Sequence, residues 1–102
     1  MSPYVLTRAA QSDLQEIARY TLKQWGNAQS LRYAALLEQC FTEIAARSRI
    51  SRSVLERYPT LRVSRCEHHY VFYLQPENQP PRIIAVLHEK MDMLQRLTNR
   101  LS

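Results

Sequence analysis

Apolar residues in this chain change their period once, and that change limits the architecture more than any other feature. Up to residue 45 they recur at three- and four-residue steps. Leu14, Ile17, Ala18, Leu22 and Trp25 make one stripe; Tyr33, Leu37, Cys40 or Phe41, Ile44 and Ala45 make a second. Such spacing gathers side chains on one face of a helix. Gly26, the single glycine, stands between the stripes, where a helix ends because glycine accepts a left-handed turn. Asn27 follows as a natural cap for the second helix. With almost no linker, the pair is expected to be an antiparallel hairpin, with the aromatic residues of both stripes, Trp25 included, in the core.

From residue 61 the period is two. Leu61-Arg62-Val63-Ser64-Arg65 alternates apolar and polar residues as a half-buried strand does, so Arg62 and Arg65 belong to opposite faces. Tyr70-Val71-Phe72-Tyr73-Leu74 and Arg82-Ile83-Ile84-Ala85-Val86-Leu87 are rich in residues that suit a pleated surface. Pro80-Pro81 lacks backbone donors and marks the loop or the start of the last strand. Tyr4-Val5-Leu6 reads as a short first strand with Thr7 as helix cap, and Met91, Leu94, Leu97 and Leu101 outline a short final helix. The expectation is one α+β domain over residues 1–102: an N-terminal short strand, a two-helix antiparallel hairpin packed on an antiparallel β-sheet meander, and a C-terminal helix.

Charge is unevenly placed. The net charge of +5 resides in residues 47–65, where Arg47, Arg49, Arg52, Arg57, Arg62 and Arg65 face only Glu56; the flanking segments are each neutral. Every cation there is arginine, whose planar fork suits phosphate or carboxylate, so this segment is either a solvated basic surface or a landing site for an anionic partner.

Other classes are excluded. No apolar run approaches the roughly 18 residues of a membrane span, and the start of the chain lacks a signal-peptide pattern, so a cytoplasmic location is expected. Cys40 and Cys66 have no CxxC spacing and read as two separate buried thiols. Adjacent His68 and His69 point to opposite strand faces, and no metal or cofactor site emerges. Phe72 and Tyr73 alternate, so only one can face outward as a stacking platform.

The order of these elements resembles a known family. Ala10-Gln11-Ser12-Asp13-Leu14-Gln15-Glu16-Ile17, then Tyr20, then Trp25-Gly26, is similar to the helix-one signature of ParE toxins. The likeness continues through Tyr33, Leu37 and Phe41, through Arg62, His69 and Phe72-Tyr73, and is most specific in Ile84-Ala85-Val86-Leu87-His88-Glu89-Lys90-Met91-Asp92. One departure is the connection after the second helix, Arg47-Ser48-Arg49-Ile50-Ser51-Arg52-Ser53-Val54, which lacks the Pro and Gly of many relatives.

The resemblance implies a bacterial type II toxin that blocks DNA gyrase and replication without a catalytic centre, neutralised by a ParD-like or other acidic, partly disordered antitoxin in a hetero-oligomer. Arg57, Arg62, Arg65, His69, Arg82 and His88 are the expected exposed contacts to gyrase or the DNA that it holds. Leu14, Tyr20, Trp25, Tyr33 and Leu37, with Arg62 and Arg65 at the rim, are the expected antitoxin contacts. The alternative is the RelE branch, which cleaves ribosome-bound mRNA. That chemistry needs a base, a cation and an acid; Arg62, Arg65 and Arg82 supply cations, but only His88 offers a base. A third reading, a nucleic-acid-binding module, rests on the basic patch alone.

Overall fold

The computed structural model describes residues 3–89 and 92–101. The first strand, β1 (Val5–Leu6), leads directly into α1 (Arg8–Trp25). Thr7 caps that helix, its side chain accepting from the Ala10 N–H at 3.2 Å. α2 (Asn27–Ala45) follows after one residue. Gly26 closes α1 through its N–H to Leu22 O at 3.0 Å and opens α2 through its own carbonyl, which accepts from Ser30 N at 3.1 Å. The expected cap, Asn27, is instead the first helical residue. Gly26 serves both helices because its φ of 88° is open to glycine; open space surrounds it, so conformation and not room demands glycine there.

The strands are β2 (Arg52–Leu55), β3 (Tyr58–Cys66), β4 (His69–Leu74) and β5 (Arg82–His88), and the last helix is α3 (Met93–Leu101). They form one sheet in the order β1-β5-β4-β3-β2. The meander from β2 to β5 is antiparallel, but β1 pairs parallel with β5, so the sheet is mixed. β2 lies in what reads as an arginine-rich loop. It is a four-residue edge strand with an irregularity between Ser53 and Leu55, and edge strands carry charge in place of apolar alternation.

Each sheet face has its own core. On one side Ala10, Leu37, Cys40, Phe41 and Ile44 of the helix hairpin meet Val71, Tyr73, Ile83 and Val86. On the other, Leu97 of α3 seals Leu61, Phe72, Ile84, Ala85 and Leu87. A bulge at Ile84, between the pairs Phe72↔Ala85 and Tyr73↔Ile83, lets Ile84 and Ala85 pack on the same side. Phe72 and Tyr73 are therefore both buried, and neither is a stacking platform. α3 folds back onto the sheet, and Asp92 just before it accepts from Gln95 N at 3.2 Å as an N-cap. Met91 and the Leu94 side chain lie outside the described residues.

The largest correction concerns α1. Tyr20, Leu22 and Trp25 are 63%, 51% and 68% exposed. The apolar stripe is real, but only its first half meets the sheet: Ala10, Asp13, Leu14 and Ile17 are buried or half-buried, whereas the far end projects into solvent together with Leu31 of α2.

Candidate functional site

The arginines separate into those that build the fold and those left at its surface. Arg49 donates to Glu43 Oε1 at 2.6 Å and to the Arg65 carbonyl at 2.7 Å, holding the chain that links α2 to β2. Arg62 donates through Nε to Ser51 Oγ at 2.8 Å and through Nη2 to Ser51 O at 3.2 Å, so its fork is occupied by the same segment. Arg65 is over half exposed. It pairs with Glu89 at 2.7 Å, donates to the Glu67 carbonyl at 3.1 Å and lies 5.5 Å from the centre of the Tyr70 ring. The guanidinium groups of Arg52, Arg57 and Arg82 are exposed and make no hydrogen bond or ion pair among the described residues.

Register decides which of these share a surface. Arg52 lies opposite Val63, Arg65 opposite Tyr70 and Arg82 opposite Leu74. Strand alternation puts Val63 and Arg65 on one side and Arg62 on the other. Arg52, Arg65 and Arg82 thus border the α3 side of the sheet, around half-buried Val63, Tyr70 and Leu74. Arg57 is exposed in the turn between β2 and β3. Arg52 is a member of the basic segment that sequence reasoning did not single out; its strand placement is what adds it.

The histidines form a separate group at one end of the sheet. His69 and His88 are cross-strand partners with ring centres 5.1 Å apart. Tyr33 of α2 reaches His69 Nδ1 at 2.6 Å, and its oxygen accepts from the His68 N–H at 3.3 Å. Burial, then the neighbouring His88 and His68, push His69 down to about 4, while burial raises Tyr33 to about 12. His69 is 8% exposed and therefore is not a surface contact. His88 is half-buried, and His68 is exposed with Nδ1 3.7 Å from Glu89.

The third feature is a groove between the helices. Tyr4, Leu14, Ile17, Ala18, Ala34 and Phe41 contribute to an apolar hollow of about 250 Å³ in which Glu38 is the one acid. Of the expected antitoxin contacts, Leu14 and Tyr33 line it, Leu37 forms its buried floor, and Tyr20 and Trp25 stand exposed on α1 beyond it. The groove and the histidine cluster meet at Tyr33, whereas the cationic face borders the other side of the sheet, and no metal-binding group of His, Cys, Asp or Glu occurs among the described residues.

Residues 4–93 match the family model described as the ParE toxin of the type II toxin-antitoxin system parDE. The chain belongs to the ParE toxin family. It is 46% identical to the toxin ParE of Escherichia coli over 101 residues, covering 99% of this chain and 98% of that one. It is 34% identical to the toxin ParE1 of Mycobacterium tuberculosis over 92 residues, covering 90% and 94%. A solved structure described as the chromosomal ParDE TA system from P. aeruginosa shares the fold, with a TM-score of 0.67 and 17% identity over 85% of this chain and 98% of that one. This ParE chain is thus a toxin component of a type II toxin–antitoxin system. No helix among its described residues is long and apolar enough to cross a membrane.

Proposed function

We propose that this toxin inhibits DNA gyrase by occupying a surface, without catalysis, and that a ParD-like antitoxin neutralises it in a cytoplasmic hetero-oligomer. The observation that carries the reading is the cationic rim of Arg52, Arg65 and Arg82 around an apolar floor, with Arg57 exposed in the turn between β2 and β3. Exposed guanidinium groups around a partly apolar face suit gyrase or the phosphates of the DNA that it holds. Arg57, Arg65, Arg82 and His88 are the target contacts in this account. Arg62 positions the segment before β2, and His69 supports His88 from beneath.

The antitoxin occupies a different place. An acidic segment that folds on binding inserts apolar anchors into the groove beside Leu14 and Tyr33 and packs along Tyr20 and Trp25. Aromatic residues exposed at this level are the type that dominates interface energy. The experiment compares wild type with the triple variant Arg57→Glu, Arg65→Glu, Arg82→Glu in a gyrase supercoiling assay scored for cleaved DNA. Loss of gyrase poisoning with antitoxin affinity retained supports the reading; undiminished poisoning overturns it.

A further inference from the structure

The connection between α2 and β2 meets the edge of β3 around an open hollow of about 600 Å³. Its walls are that connection, Arg52, Val63 and Arg65 of β3, and Tyr70 of β4. Arg52 lies opposite Val63 and Arg65 opposite Tyr70, so these four side chains share one side of the sheet. Three side chains stitch the connection to β3. Ser64 Oγ donates to Ile50 O at 2.8 Å, Arg49 donates to the Arg65 carbonyl at 2.7 Å, and Arg62 holds both oxygens of Ser51. The hollow is therefore fixed before any ligand arrives, which lowers the ordering cost of binding.

Much of its lining has no task in the fold. Arg52 is exposed and makes no hydrogen bond or ion pair among the described residues. Ser51 Oγ accepts from Arg62 at 2.8 Å, which leaves its own proton to donate elsewhere. Ile50 is 90% exposed although its carbonyl is pinned. The Arg65 guanidinium lies over the Tyr70 ring, 5.5 Å from its centre. Three arginines face one acid of the lining, Glu43, which Arg49 already neutralises at 2.6 Å. An arginine fork beside a serine hydroxyl suits phosphate oxygens. A guanidinium stacked on tyrosine, with Ile50 and Val63 alongside, is a flat and partly apolar surface of the kind on which an unpaired base rests.

We propose that this hollow binds one nucleotide of a single-stranded nucleic acid, its phosphate on Arg52 and Ser51 and its base against the Arg65–Tyr70 stack. This rests on the reading of the Arg52, Arg65 and Arg82 face as the target contact and narrows that contact to unpaired strand. Bases in a duplex are stacked on one another and present only their edges in the grooves, so a base enters the hollow only from a strand that is open. Arg65 keeps its Glu89 partner at 2.7 Å in this arrangement and serves as platform, while Arg52 supplies the free charge.

The test titrates the isotope-labelled toxin, without gyrase, with a short oligothymidylate and follows amide chemical shifts and affinity. Shifts are expected to concentrate at Ile50, Ser51, Arg52, Arg65 and Tyr70. Arg52→Ala is expected to weaken binding by about tenfold and to lower the slope of log affinity against log salt by about 1. Lys23→Ala, which removes the same charge from an exposed position on α1, is expected to leave affinity nearly unchanged. Oligothymidylate or oligouridylate bound at the hollow supports the proposal, and their relative affinity tells DNA from RNA. Equal losses in Arg52→Ala and Lys23→Ala, tighter binding of a duplex of the same length, or tighter binding of an oligoglutamate peptide would overturn it, the last in favour of an acidic protein segment. Wild type that binds no oligonucleotide, while the Arg57, Arg65, Arg82 triple variant loses gyrase poisoning, would sink the nucleotide site and leave the gyrase reading standing.

Discussion

Arg100 grips Asp13 with both arms of its guanidinium, Nη1 to Oδ2 at 2.5 Å and Nη2 to Oδ1 at 2.7 Å, so the last helix is bolted to the first across the edge of β5. The pair does more than join helices. β1 covers β5 only at Arg82 and Ile83; beyond that point Asp13 accepts from Val86 N at 2.8 Å and Arg100 donates to Ile84 O at 3.0 Å. Two side chains thus replace the missing strand and satisfy backbone groups that burial would otherwise orphan. Both are largely buried, at 19% and 9% side-chain exposure.

Removing one member leaves an uncompensated charge. Arg100→Ala is expected to destabilise the fold by about 3 kcal/mol or more, read as a lower urea midpoint, with Asp13→Ala similar. The double variant should cost less than the sum of the singles. Additive losses would show that the two groups act independently.

His69 makes stability depend on pH. Its folded value of about 4 lies below its ordinary 6.5, so the unfolded chain binds a proton more readily between those values. Stability from this group is complete above pH 6.5 and falls as pH drops toward 4, by about 3 kcal/mol in total. Urea midpoints measured across that window should decline in wild type and flatten in His69→Gln. A wild-type midpoint that is flat between pH 6.5 and 4 would contradict the buried neutral histidine.

The two classes of arginine should respond differently. Arg62→Ala removes two hydrogen bonds to Ser51 and is expected to cost about 1–2 kcal/mol. Alanine at Arg52, Arg57 or Arg82 should change stability by less than about 0.5 kcal/mol. Chemical unfolding of the four single variants checks this; equal losses would erase the distinction.

Trp25→Ala should cost under about 1 kcal/mol in the isolated toxin, because the ring is 68% exposed. The same change should weaken antitoxin binding by at least 2 kcal/mol if Trp25 is an interface anchor. Calorimetric titration of the two toxins with one antitoxin separates the effects, and unchanged affinity would remove Trp25 from the contact.

Much of this molecule was legible in its residues. Gly26 between two helical stripes announced the hairpin, and strict alternation in Leu61 to Arg65 placed Arg62 and Arg65 on opposite faces, as their partners Tyr73 and Tyr70 show. Periodicity tells which side chains share a face but not how far the covering surface extends, so Trp25 was expected in a core that stops earlier along α1. β2 escaped because an edge strand has little apolar signal of its own. The basic cluster was visible as charge, yet only tertiary geometry separates Arg49 and Arg62, whose forks hold Glu43 and Ser51, from Arg52 and Arg82, whose forks make no bond among the described residues. The Asp13–Arg100 bond, which spans nearly the whole chain, had no local signature.

The measurement that tests the central claim most directly is a gyrase supercoiling assay with the purified toxin, scored for cleaved DNA, beside a ribosome-dependent mRNA cleavage assay. The account predicts cleaved DNA and intact mRNA, with poisoning lost in the Arg57, Arg65, Arg82 triple variant. Cut mRNA with unimpaired gyrase would contradict it and would recast the arginines and His88 as a nuclease site.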